Sequence, residues 1–234
     1  MSVFHFKHFN VTQANSSMKV GTDAMLLGAL VDAANPSSIL DIGTGTGVLS
    51  LMMAQKFPNS RITAIEVDEN ALIDCQVNFT SSSWSDRLSV VAIDFLQFST
   101  AETFDLIVSN PPFFEDSLKN PNESKSRARH MDALPIDELI KMSATLLSNE
   151  GTLWLILPRE IADKSIQLAE MCDLFPMCIV EIEGKPGSFI RKVIQFSRSK
   201  SLPTRSTSFC VRDEKGKYTE EYKVLTNQFH NKSL

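Results

Sequence analysis

Hydrophobic positions along the chain fall into short apolar runs that alternate with longer segments of helical spacing. Residues 39–42, 61–67, 88–93 and 104–108 are apolar at nearly successive positions, as strands buried on both faces require. Between them, residues 48–57 and 69–79 carry apolar side chains at helical intervals. The same rhythm predicts a helix over 135–147, ended near Gly151, then a strand over 153–157 and a helix over 161–171. Residues 177–182 and 190–196 are two further strands with only the turn Gly184-Lys-Pro-Gly187 between them. Near the start, Phe4, Phe6, Phe9 and Val11 alternate loosely and predict a short strand or hairpin. A helix follows from Thr22, with Thr22 or Asp23 as its cap.

Strands apolar on both faces and separated by helices indicate a mostly parallel sheet covered on both sides. The last two strands lack an intervening helix, so they form an antiparallel hairpin closing one edge. The expected fold is therefore α/β and Rossmann-like, with seven strands. One domain accounts for the 234 residues: a strand and helix extension over 1–38, the core sheet over 39–200, and a C-terminal extension over 201–234.

Composition narrows the class. Hydrophobic residues make up 43% and charged residues 22%, values of an ordinary globular protein. Apolar runs are too short to cross a bilayer, and the first residues lack the pattern of a signal peptide. A cytoplasmic protein is expected. Its four cysteines, Cys75, Cys172, Cys178 and Cys210, have no zinc-knuckle or redox spacing, and His5 with His8 lacks a third ligand. No metal is expected.

The segment Asp41-Ile-Gly-Thr-Gly-Thr-Gly47 joins a strand to a helix through a glycine-dense turn. Glycines there permit positive φ and let a ligand approach the backbone. A dinucleotide fingerprint requires glycine where Val48 stands, and the lysine of a P-loop is absent. Gly43, Gly45 and Gly47 after Asp41 resemble the first motif of class I S-adenosylmethionine-dependent methyltransferases. Two strand-end acids extend the site. Glu66 can accept the ribose hydroxyls, and Asp94 can accept the adenine amino group.

After the fourth strand comes Asn110-Pro-Pro-Phe113. Two prolines stiffen the loop and fix the directions of the Asn110 amide oxygen and the Pro111 carbonyl. An exocyclic amine conjugated to a ring is a weak nucleophile. Two acceptors on its N–H bonds pull it toward a pyramidal geometry and aim its lone pair, and Phe113 can stack on the planar target. The run Asn110, Pro111, Pro112, Phe113 resembles that of amino-methyltransferases acting on adenine N6, cytosine N4, guanine N2 or a protein glutamine amide. The motif alone does not choose among them.

The rest of the chain does. Phe6-Lys-His-Phe-Asn-Val-Thr-Gln13 and Met18-Lys-Val-Gly-Thr-Asp-Ala-Met-Leu-Leu-Gly28, with Ala128-Arg-His130 and Tyr218-Thr-Glu-Glu-Tyr222, resemble the tRNA1(Val) (adenine(37)-N6)-methyltransferase family. The resemblance runs from Phe6 to Phe229. It implies S-adenosyl-L-methionine as cofactor, an adenine N6 of tRNA as acceptor, and no membrane or metal partner; a monomer is expected. It also implies that Thr22 and Asp23 lie against the methionine end of the cofactor. Guanine-N2 methylation of ribosomal RNA, glutamine methylation and an inactive RNA-binding module are the alternatives. Related enzymes often carry tyrosine where Phe113 and Phe114 stand.

A net charge of −5 is unevenly distributed. Residues 1–110 hold five basic against eleven acidic residues, whereas 185–217 hold nine against two. With Lys119, Lys125, Arg127 and Arg129 after the catalytic loop, this segment is expected to flank the catalytic edge and face phosphate. Lys19, Arg127, Arg129, Arg191 and Lys192 are the RNA-contact candidates.

Overall fold

A computed structural model describes residues 3–112, 134–200 and 203–231. The short strands β1 (Val3–His5) and β2 (Asn10–Thr12) form an antiparallel hairpin, followed by α1 (Thr22–Leu30). Strand and helix then alternate through β3 (Ser38–Ile42), α2 (Val48–Lys56), β4 (Arg61–Glu66), α3 (Glu69–Thr80), β5 (Leu88–Ala92) and β6 (Phe104–Ser109). Next come α4 (Ile136–Leu146), β7 (Leu147–Leu157), α5 (Arg159–Glu170), β8 (Phe175–Lys185), β9 (Ser188–Ser197), β10 (Arg205–Cys210) and α6 (Glu220–Thr226).

The large sheet has the order β10-β8-β9-β7-β6-β3-β4-β5, with β9 antiparallel to both its neighbours. Alternation along β3 shows how it is covered. Ile39 packs with Leu49, Leu51 and Met52 of α2, while Leu40 and Ile42 join a second cluster with Leu139 and Ile140 of α4. Burial on both sides removes apolar area at about 25 cal/mol per Å2, which is why these strands read as continuous apolar runs. α1 and α2 approach so closely that a side-chain carbon on Gly28 would lie 2.5 Å from Met52 Cε. The two ends of the chain also meet, with the Lys7 N–H donating to the Phe229 carbonyl at 2.9 Å.

Five expectations are corrected. Among the described residues the sheet has eight strands instead of seven, because β10 adds alongside β8 in parallel. The hairpin is therefore not the edge. β10 escaped the apolar pattern since an edge strand needs little apolar surface: Arg205 to Ser208 are all exposed. Gly151 does not end α4, which stops at Leu146; it lies within β7, where an added side-chain carbon would meet the Phe104 carbonyl at 2.7 Å. Neither Thr22 nor Asp23 caps α1, whose N-cap is Gly21 with no side-chain cap bond. Finally, β8, β9 and β10 each cross the full sheet, so the basic segment 185–217 is split between its two edges. Arg198, Lys200 and Arg205 lie at the edge opposite Asn110.

Candidate active site

Register places the motif residues along one edge. Ile42 pairs with Ile65 and with Ser109, and Glu66 pairs with Ala92. Gly43, Glu66 and Asn110 are thus level at the carboxyl ends of β3, β4 and β6, and Asp94 lies two residues past the end of β5. Ser109 Oγ donates to the Ile42 carbonyl at 2.8 Å, binding the two central strands together beneath the turn. Open α/β sheets bind ligands at this edge.

The three turn glycines all have positive φ, at 69°, 59° and 81° for Gly43, Gly45 and Gly47. Their surroundings differ. A side-chain carbon on Gly43 or Gly45 would meet nothing within 4 Å, so open space lies in front of both. One on Gly47 would lie 2.6 Å from Phe79 and 3.0 Å from Cys75. Gly43 and Gly45 leave room for a ligand; Gly47 lets α3 close against the turn.

Asp41 points beneath the turn. Its Oδ2 accepts from Thr44 Oγ1 at 2.6 Å and Ser50 Oγ at 2.7 Å. Burial raises its pKa to about 6 against the pull of these hydroxyls, with a smaller upward push from Glu66. The carboxylate clamps the turn to α2. Glu66 Oε2 accepts from the Gly45 N–H, and Oε1 from the N–H groups of Val67 and Asp68, all at 2.8 Å. A carboxylate offers about four acceptor positions, so gripping both ribose hydroxyls requires the Gly45 bond to exchange. The helix cap here is Asp68, which accepts from Asn70 and Ala71. Asp94 Oδ1 accepts from the Leu96 N–H at 2.9 Å, leaving Oδ2 without a partner among the described residues. Cys75 lies behind the turn; burial first, then Asp41 and Glu66, push its thiol well above the usual range, so it is no nucleophile.

Asn110 is half-buried, and its side chain makes no hydrogen bond among the described residues. Pro111 is buried and Pro112 exposed. Phe113 lies outside the described residues, as do Arg127, Arg129 and His130.

The remaining basic candidates are engaged within the protein. Lys19 Nζ donates to the carbonyls of Gln13 and Ser16 at 2.5 and 2.8 Å, closing the loop before α1. Lys192 contacts Asp163 at 2.6 Å and Glu181 at 3.1 Å. Arg191 Nε bonds Asp23 Oδ2 at 2.8 Å, tying α1 to β9. Asp23 thus pairs with a cation, and Lys19 and Lys192 hold the fold together; the charge run could not reveal these partners.

Sequence reasoning missed four residues. Asn78 Nδ2 donates to the carbonyls of Thr12 and Thr46 at 2.8 Å, joining the N-terminal segment to the glycine turn. Asp74 accepts from the Asn15 and Ser16 N–H groups at 2.9 and 2.8 Å. Their signal is legible: both fall among the buried positions of α3 with Ala71, Cys75 and Phe79. Val67 and Leu96, apolar yet 62% and 43% exposed, flank Glu66 and Asp94 at the crevice. Among the described residues no group of metal-ligating side chains forms, and no helix is long and apolar enough to cross a membrane.

Comparison with known proteins agrees with this geometry. Residues 11–182 match the family model of the methyltransferase small domain. A tRNA1(Val) (adenine(37)-N6)-methyltransferase of Bacteroides thetaiotaomicron is 39% identical, covering 97% of this chain and 96% of that protein. The protein of the same name from Flavobacterium psychrophilum is 40% identical, over 98% of this chain and 100% of that one. Among solved structures, the N-methyltransferase NodS of Bradyrhizobium japonicum in complex with S-adenosyl-L-homocysteine superposes with a TM-score of 0.53 at 23% identity, covering 75% of this chain and 83% of that one. A protein of Agrobacterium tumefaciens described as a predicted O-methyltransferase gives 0.66 at 19%, covering 88% and 96%. Both share the fold. With a strand order, a glycine turn and an Asn-Pro-Pro loop that all converge on one edge, the chain belongs to the tRNA1(Val) (adenine(37)-N6)-methyltransferase family of methyltransferase small-domain proteins.

Proposed function

We propose that the protein transfers a methyl group from S-adenosyl-L-methionine to N6 of an adenine in tRNA, adenine 37 of tRNA1(Val). The observation that carries this reading is the half-buried Asn110 amide, without a partner among the described residues and level with the open glycine turn. The residues present fit the cofactor. Gly43 and Gly45 leave open space for it, Asp94 Oδ2 has no partner among the described residues, and Val67 and Leu96 offer apolar surface beside the two acids. When bound, it supplies an electrophilic methyl on a sulfonium.

The chain's own residues do the rest. Asp41 and Asn78 hold the turn from below and beside it, so Gly43 and Gly45 keep their backbone course when the ligand arrives and the Gly45 to Glu66 bond is the contact that exchanges. Glu66 and Asp94 accept the ribose hydroxyl and the adenine amine. Asn110 Oδ1 and the Pro111 carbonyl accept the two protons of the target amine, orienting its lone pair along the line of transfer. Pro112 fixes the loop, and Phe113 covers the base. The methylated nitrogen then gives up its extra proton to solvent, with no general base required among these residues. The hydrogen bond from the Lys7 N–H to the Phe229 carbonyl supports reading the chain as one domain.

Nucleoside mass spectrometry of tRNA1(Val), unmodified at position 37 and treated with protein and cofactor, tests the reading. One N6-methyladenosine per tRNA is expected. N2-methylguanosine, or methyl groups found only on protein, would overturn it.

A further inference from the structure

Beyond the methyl-transfer site, the same sheet edge carries an aromatic and basic group that the chemistry leaves unused. Leu157, the last residue of β7, pairs with Lys192, and residues 188–191 continue past it with partners only in β8. Ser109, the last residue of β6, is level with Leu155, which is level with Ile194. At about 3.3 Å per residue, the stretch from Ile194 to Ser188 raises the hairpin up to about 20 Å above the end of β6. It stands two strand spacings away, about 10 Å to the side of the Asn110 loop.

Phe189 occupies this overhang, 41% exposed. The Arg159 guanidinium lies over its ring, 5.4 Å from the centroid. Arg159 opens α5 immediately after β7, is exposed, and has no ion pair among the described residues. Its neighbours differ: Lys192 is held by Asp163 and Glu181, and Arg191 by Asp23. Together Arg159, Glu181, Phe189, Arg191 and Lys192 line a shallow depression. The paired cations hold the hairpin beside α1 and α5, and Phe189 and Arg159 present exposed planar surfaces there. Every base has a π-face, and unpaired bases are recognised by stacking on aromatic rings and guanidinium planes.

We propose that Phe189 and Arg159 form a stacking platform for an unpaired nucleobase of the RNA substrate, a few nucleotides along the chain from the adenine held at Asn110. The platform rests on the tRNA reading above. Turning the target base out toward Asn110 opens the loop around it, and a surface one hairpin away captures a base of that opened loop that loses its stack.

The test compares Phe189→Ala, Phe189→Trp and Arg159→Ala with the wild type on full-length tRNA, measuring KM for tRNA, kcat and cofactor Kd. Phe189→Ala is expected to raise KM about tenfold, the scale of one base–aromatic stack, with kcat and cofactor Kd within about twofold of wild type. Arg159→Ala is expected to raise it less, and Phe189→Trp to restore it. An unchanged KM in Phe189→Ala overturns the platform. So does a raised KM that tryptophan does not restore, or one accompanied by weaker cofactor binding, since either marks a structural role. Wild-type protein that methylates no adenine in tRNA overturns instead the reading on which the platform rests.

Discussion

β3, β4 and β5 end on the same sheet edge as β6 and β7, where antiparallel β9 begins, but the two halves finish it differently. In the first half Asp41 is bound inward by two hydroxyls and Glu66 by three backbone N–H groups, while Asp94 keeps Oδ2 open among the described residues. In the second half, Asn110, Arg159 and Phe189 leave their functional surfaces turned outward. A turn that satisfies itself is already in its binding shape and loses little entropy when a small ligand arrives. Open side-chain surfaces suit a large acceptor whose own parts must be rearranged. On the proposed reading, the difference separates holding the methyl donor from aiming the methyl acceptor.

Substitutions can break that separation. The largest effect is expected for Asn110→Ala, which should lower kcat by about 100- to 1000-fold, the scale for removing one positioned polar group. Its cofactor Kd should stay within about twofold of wild type by titration calorimetry. A parallel loss of cofactor binding would merge the two halves.

Within the glycine turn a second contrast follows. Gly47→Ala forces a side chain into Phe79 and Cys75 at positive φ, and should cost about 2–4 kcal/mol of stability in denaturant unfolding. Gly45→Ala meets open space, should cost only about 1–2 kcal/mol, and should show its main effect as weakened cofactor binding. Equal stability losses with no change in affinity would remove the distinction.

Asp41 gives a smaller, pH-dependent signature. Its pKa rises from 3.8 in the unfolded chain to about 6 in the fold. The folded protein therefore holds the proton more tightly, and this contribution is fully present below pH 3.8 and lost as pH rises through about 6. The loss is on the order of 2–3 kcal/mol. Asp41→Asn should remove that slope, so its Tm relative to wild type rises across this range. Parallel Tm curves would place the carboxyl outside the buried clamp. Least of all should change with Lys200→Glu, at the opposite edge beside Phe175: tRNA KM within about twofold of wild type.

Legibility followed the locality of the signal. The turn glycines and Asn110-Pro-Pro are contiguous, and their chemistry depends on backbone shape, so the sequence carries them whole. The parallel strands were legible because burial on both faces leaves apolar runs. β10 was not, since Arg205-Ser-Thr-Ser needs only backbone pairing with β8. The charge run 185–217 misled for a geometric reason. Neighbours in sequence along β9 and β10 lie at opposite edges of the sheet, and Arg191 and Lys192 find carboxylates on α1, α5 and β8. Asp41 and Glu66 lie at the turn, but which atoms they bind is fixed by Thr44, Ser50 and the Gly45 amide.

The most direct test of the divided edge is parallel nucleoside mass spectrometry on tRNA1(Val) treated with wild type and with Asn110→Ala, each saturated with S-adenosyl-L-methionine. Wild type should yield one N6-methyladenosine per tRNA, and Asn110→Ala almost none despite bound cofactor. Equal N6-methyladenosine from both proteins would contradict the account.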